Sequence, residues 1–378
     1  MEAKTQLVNY QTLLNQKDET IIALKQLINE KDNIIMMYKE KIKDLEIKLE
    51  QYGNKETNPK GKDVSIHIPI NNITYNFSKI NFQERIPLMK IEPNSGAIYT
   101  IKKLSDDRIA CGFSNGNIII FSKEKYKKEI ELKDYHIGGH ITFLTQLKND
   151  IFISCGSDGI INFFKIFENQ CNKIQSIKAH SGRAMKLREL ELNKQLVSCS
   201  EDKTLNFYIY QNEYIIEQKI TIDAPICNQI ETKNGKLVLA VSEDKIQFFD
   251  LNKRKMESQI TGIKLYNGLS NNMININEKL IAVGGLDNIL IIDVISQKKI
   301  NVIAIPGSSY ITCFNKFNDN ILLTGDCSCT IRQWKITGEF LNQQYFKEKS
   351  HDFQIRFIEK YENGLIITCS DDGSLKLW

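Results

Sequence analysis

A phrase of fourteen residues returns seven times between residue 95 and residue 378, at steps of 43, 44, 41, 43, 42 and 44. Each copy holds a short apolar run with a small residue, a polar tight turn, a second apolar run and usually an aromatic. The copies read RIACGFSNGNIIIF, IFISCGSDGIINFF, QLVSCSEDKTLNFY, KLVLAVSEDKIQFF, KLIAVGGLDNILII, ILLTGDCSCTIRQW and LIITCSDDGSLKLW. The steps run between turn positions Asn115, Asp158, Asp202, Glu243, Leu286, Ser328 and Asp372. A fixed period in this range marks an array whose units bury their apolar faces only against one another. Alternation inside the runs points to strands: Leu196 and Ser198 face one way, Val197 and Cys199 the other.

The phrase resembles the WD40 repeat, through SDG, SED and above all SDDGSLKLW. The resemblance covers about three quarters of the chain and implies an all-β fold, a seven-bladed β-propeller with four strands per blade. Aromatics hold one register of the third strand in six units, with Ile292 the exception. The seventh unit ends its third strand at Trp378, so the outermost strand is expected from residues 86–91, IPLMKI, ahead of the first unit. Pro87 lacks an N–H, which an edge strand tolerates.

Residues 1–52 carry a second pattern. Leu7, Leu14, Ile21, Ile28, Ile35, Ile42 and Leu49 recur every seven residues, with no Pro or Gly in the segment. Tyr10, Lys17, Leu24, Lys31, Tyr38, Leu45 and Tyr52 follow three places on. These sets read as a and d of a coiled coil. A lone helix of about 45 residues would span roughly 68 Å with an open apolar seam. Ile at a with Leu at d favours a parallel homodimer, while Leu13, Leu27 and Ile34 at g widen the seam toward a trimer or a helical hetero-partner. Residues 53–63 are a polar linker with breakers. In 64–80, Ile66, Ile68 and Ile70 and then Ile73, Tyr75 and Phe77 alternate about Asn71–Asn72, which predicts a hairpin packed on the propeller. Residues 64–378 form the propeller domain in this reading.

Composition excludes several classes. Hydrophobic content of 42% and charged content of 25% are ordinary for a globular chain, and no apolar run reaches 18 residues. A net charge of +4 is too slight to argue for nucleic acid or a membrane surface. Residues 1–11 lack the features of a secretory signal, so the cytoplasm, or the nucleus, is the expected location. Cys155, Cys199 and Cys369 share a strand register and Cys111 sits one place earlier, as small core residues do. Cys327 and Cys329 share the sixth turn. No phosphate-cradling loop or zinc-ligand spacing occurs, so no cofactor or metal is expected.

His180, Ser198 and Asp202 are by residue type a hydrolase triad. The WD40 resemblance implies another role. There a His before the first strand, a Ser or Thr in the second, the turn Asp and a third-strand Trp form a structural tetrad. His180, Ser198, Asp202 and Tyr208 fit those places, and His351, Thr368, Asp372 and Trp378 fit them again. A constellation present twice argues for a brace, so no catalytic residue is assigned. His140, Ser154 and Asp158 read as a partial third copy, and the units without a His are expected to rely on packing.

Function is then read from surfaces. The resemblance implies a protein-binding face where the tight turns sit, lined by Ser157, Glu201 and Asp371 and flanked by Arg183 and Phe353. The leading expectation is a non-enzymatic scaffold or adaptor that oligomerises through its coiled coil and binds protein partners. An obligate heteromer subunit resembling a G-protein β subunit is the alternative, and an RNA-binding propeller ranks last. Sedimentation of isolated residues 1–52 at micromolar concentration is expected to give a dimer; a monomer removes the stalk.

Overall fold

The computed structural model describes residues 89–91 and 96–378, apart from 124–125, 243, 266–271, 306, 308 and 362–363. The heptad segment 1–52, the linker 53–63, the alternating segment 64–80 and residues 86–88 lie outside the described residues.

Seven four-stranded antiparallel sheets make up the described chain, six of them each drawn from one repeat. They cover residues 98–132, 141–178, 184–221, 226–260, 273–304, 311–347 and 355–377. Strand order follows the sequence in the first six sheets, so those repeats fold as meanders, while the seventh adds a strand from before the first repeat. The first strand of each blade touches the first strands of both neighbours. That includes Ile98–Lys103 of blade one against Ile355–Lys360 of blade seven. The array is therefore a closed seven-bladed propeller.

The closing contact is a strand from before the first repeat. Strand β1 (Met89–Ile91) pairs antiparallel with β2 (Leu375–Leu377), Lys90 opposite Lys376 and Ile91 opposite Leu375. Trp378 continues the ladder inward, donating its N–H to the Ile366 carbonyl at 2.9 Å and accepting from the Ile366 N–H at 3.1 Å. Blade seven thus takes its outermost strand from nearly three hundred residues away.

Burial explains the repeated phrase. Second strands such as Leu196–Ser200 and Ile366–Ser370 are buried along their whole length, because both faces meet a neighbouring blade. Val197 and Cys199 pack against Leu237, Leu239 and Phe249 of blade four. Leu196 and Tyr208 pack against Ile153, Cys155 and Phe163 of blade two. At about 25 cal/mol per Å² of apolar surface, these two-sided contacts are the main stabilising term. Outermost strands meet solvent on one side and alternate, as Tyr214–Thr221 does. Ile292, which stands in the aromatic's place, shares its cluster with Phe248 of blade four.

The tight turns share one backbone device. Gly116, Gly159, Lys203, Asp244, Asp287, Cys329 and Gly373 all take φ between 57° and 82°, one place after the turn positions read from the repeat. At Gly159 the requirement is double, since a Cβ would also collide with the His180 carbonyl oxygen of the loop above. First strands carry a second device: in six blades a bulge sits at Tyr99, Thr142, Met185, Cys227, Thr312 or Arg356. A bulge re-aims the side chain at that position.

Truncation tests the closure. A chain of residues 81–378 keeps β1, and one of 92–378 exposes the edge of β2. The shorter chain is expected to be less stable by about 2–4 kcal/mol, from lost strand hydrogen bonds and uncovered apolar surface. Equal thermal midpoints would refute the closing role of Met89–Ile91.

Candidate functional site

The histidine constellations tie the loops of one face to the blades beneath them. In blade three, His180 Nδ1 lies 3.2 Å from Asp202 Oδ2, and Nε2 lies 2.7 Å from Ser198 Oγ. The Tyr208 hydroxyl completes the chain 2.8 Å from Ser198 Oγ. In blade seven, His351 Nδ1 lies 2.9 Å from Asp372 Oδ2 and Nε2 lies 2.7 Å from Thr368 Oγ1. The Trp378 indole N–H donates to Thr368 Oγ1 at 2.8 Å. Each chain ties the loop before a blade to its turn and its third strand. His180, Ser198, His351 and Thr368 are all buried.

The carboxylates in these braces are strongly held. Burial alone would raise the Asp202 carboxyl, but His180, Thr204 and the Ser181 N–H outweigh it and keep it well below the usual carboxylate range. The Asp372 carboxyl is depressed in the same way, burial being outweighed by His351, Ser374 and the Asp352 N–H. Burial drives the His351 imidazole down despite the raising effect of Asp372.

Blade two differs from the sequence expectation. The bracing histidine is His136: its Nδ1 lies 3.0 Å from Asp158 Oδ1 and its Nε2 2.7 Å from Ser154 Oγ. His140 lies four residues on and belongs to another cluster. The spacing was informative, because His136 precedes Ser154 and Asp158 by 18 and 22 residues, as His180 precedes Ser198 and Asp202. Phe164 ends the chain of hydrogen bonds and instead packs edge-on to Tyr135 at 5.1 Å. Blade six also departs from the expectation of packing alone. It keeps half the brace, Trp334 Nε1 donating to Thr324 Oγ1 at 2.9 Å. In place of His and the turn Asp it sets a buried ion pair, Arg332 Nη2 and Asp326 Oδ2 at 3.2 Å.

A belt of side chains runs over the turn face from blade six to blade three. The Tyr310 hydroxyl donates to Gln354 Oε1 at 3.0 Å, and Gln354 Nε2 donates to Asp371 Oδ2 at 2.5 Å. Asp371 also accepts both Arg356 Nε at 2.6 Å and Nη2 at 2.8 Å, a two-pronged pair. The Arg356 guanidinium lies 4.5 Å from the centre of the Tyr99 ring, and Tyr99 meets the His140 ring edge-on at 5.1 Å. The His140 backbone N–H donates to Ser157 Oγ at 2.8 Å. Arg183 and Glu201 form a looser pair at 3.5 Å. Burial, then Arg183 and Arg356, lower the His140 imidazole to about 4, so it is neutral at physiological pH.

Ser157, Glu201, Asp371 and Arg183 thus fall in one belt. Phe353 stands on the same face with its side chain 61% exposed. Sequence reading missed His136, Tyr99, Gln354, Tyr310 and Arg356, and it placed His140 in the brace rather than in this belt. Tyr99 and Arg356 fill the bulge register, where other blades carry Thr142, Met185, Cys227 and Thr312. Among the described residues no group of three or more His, Cys, Asp or Glu is arranged to hold a metal ion.

The two blade-two histidines predict opposite outcomes. His136→Ala removes the ring partner of Ser154 and of Asp158, leaving Asp158 the Ile160 N–H of its own turn, and is expected to cost about 2–4 kcal/mol. His140→Gln is expected to cost far less and to flatten the melting profile in acid. A lowered imidazole contributes stability that is complete above its unfolded value of about 6.5 and is lost as pH falls toward the folded value. Thermal midpoints from pH 7 to pH 4 check both; equal losses for the two variants would contradict the assignment.

Comparison with known proteins agrees with this geometry. Residues 348–378 match the family described as WD domain, G-beta repeat. No curated protein matches the chain in sequence. A chain in the crystal structure of the mitotic checkpoint complex is similar in fold, with a TM-score of 0.65 over 85% of this chain and 99% of that one, at 11% identity. The protein is accordingly a seven-bladed β-propeller that carries a WD40 repeat in its seventh blade.

Proposed function

We propose that this protein is a non-enzymatic interaction scaffold whose turn face binds a protein partner across blades seven, one, two and three. The observation that carries the reading is the belt of Arg356, Asp371, Tyr99, His140, Arg183 and Glu201, with exposed Phe353 beside it. Arginine and aromatic side chains are enriched at the energetic centres of protein interfaces. Ile137 and Leu286, exposed on the same face at 78% and 41%, add apolar anchors. Pairs held partly free of solvent at a rigid rim lose little entropy on binding.

The fold supports the same reading, since WD40 propellers commonly serve as protein-binding discs and a chain of similar fold occurs in a multi-protein checkpoint complex. The heptads of residues 1–52 add a stalk that pairs two such discs, or joins one disc to a helical partner, and raises effective concentration on a multivalent target. Nine free cysteines, six of them buried, suit a reducing compartment such as the cytoplasm or the nucleus.

Capture experiments with the intact chain test the face. Phe353→Asp and Arg183→Ala are expected to leave the melting temperature unchanged while weakening a captured partner by roughly tenfold to a hundredfold. A partner retained at full affinity by both variants would remove the turn face from the interaction.

A further inference from the structure

One register inside the ring breaks the repeat in charge. Opposite the small position of each second strand, the first strands place Thr100, Phe143, Asn228, Met273, Cys313 and Phe357. Blade three places Lys186 there, opposite Cys199. Its Nζ donates to Asn228 Oδ1 on blade four at 3.1 Å and lies 5.2 Å from the centre of the Phe143 ring on blade two. Reaching the first strands on both sides puts the ammonium on the axial side of the ring. Arg188 follows two places on along the same strand, hence on the same side.

The surroundings are rich in donors. Asn228 Nδ2 donates to Asn272 Oδ1 at 3.0 Å, which leaves Asn272 Nδ2 inaccessible to solvent with no hydrogen-bond partner. Arg188 Nε is in the same position. Two donors left unmatched in the interior are destabilising unless an acceptor reaches them. Six blades avoid the expense with uncharged residues at the Lys186 register. A cluster with positive charge and surplus N–H groups is complementary to a compact anion that only accepts.

We propose that the axial lining of blades three to five binds a carboxylate through Lys186, Arg188 and Asn272, supplied by an acidic side chain of the protein partner. The site itself stands on this geometry; the source of the carboxylate rests on the turn-face reading above. The charged and titratable neighbours are Arg188 on the same strand, the Cys199 thiol on the second strand and Glu231 of blade four, which lies beside Arg188. Burial, then Arg188, lower the Lys186 ammonium to about 7. A bound carboxylate favours the protonated amine, so binding takes up protons and weakens as pH rises through 7.

Acetate is the probe, with the full chain and chloride at matched ionic strength. Acetate at tenfold above its dissociation constant is expected to raise the melting temperature by about 2–4 °C at pH 6 and by less at pH 8.5. Lys186→Met keeps the apolar stem and is expected to abolish the rise. Asn272→Asp, which fixes a carboxylate beside Asn228 and Lys186, is expected to abolish it as well, and it serves if Lys186→Met does not fold. No rise in the unmodified chain, or an equal rise in the variants, overturns the site. A partner captured through the turn face is expected to lose at least tenfold in affinity for a folded site variant. Full affinity with an intact acetate response would overturn the partner as source and leave the site standing.

Discussion

The structure depends on one constraint: a blade has two apolar faces and can cover neither by itself. Phe207 and Phe249 stack across one blade boundary with centroids 6.1 Å apart, and Trp334 fills another with Ile289 and Ile291. Apolar clusters of this kind span the boundaries from blade one through to blade seven, so removing one neighbour exposes a whole face. An open array would leave two such faces in water, and closure covers both. The short ladder between Met89–Ile91 and Leu375–Leu377 therefore does more than its three residues suggest, because it locks the arrangement that buries every face.

Polar braces add direction to that nondirectional burial. An apolar wedge can slide against its neighbour at little cost, whereas His180 between Asp202 and Ser198 fixes the height of a loop over a turn. The braces are uneven around the ring. Blades two, three and seven use histidine, and blade six substitutes Arg332 with Asp326. Blade four holds its neighbouring loop through Asp244 Oδ1, which accepts the Leu265 N–H at 3.0 Å. The fully braced blades three and seven bracket the belt of Arg356, Tyr99 and His140, so the candidate face rests on the most firmly tied part of the ring.

Much of this was legible in the sequence because the repeat writes burial directly into residue type. Second strands read as apolar runs, turn positions fell one residue before the left-handed backbone, and the register of Cys155, Cys199 and Cys369 matched a small space between blades. The assignment of His140 to the blade-two brace failed for a local reason. Two histidines lie four residues apart in one loop, and only the fixed distance to Ser154 tells them apart. Arg356 and Tyr99 were hidden because a bulge, which shifts register by one residue, is invisible to a pattern of alternation. Lys186 escaped notice because first strands carry mixed residue types, and its oddity emerges only when seven registers are laid side by side.

The partnership of Lys90 with Lys376 also sets a timetable. During synthesis at about 5–20 residues per second, roughly 15–60 seconds separate the emergence of one strand from that of its mate. Blades one to six can stack in that interval, while the early ribbon waits with its hydrogen-bonding edge bare. A nascent chain in this condition is a natural client for chaperones that shield strand edges, and a slowed ribosome would prolong the exposure.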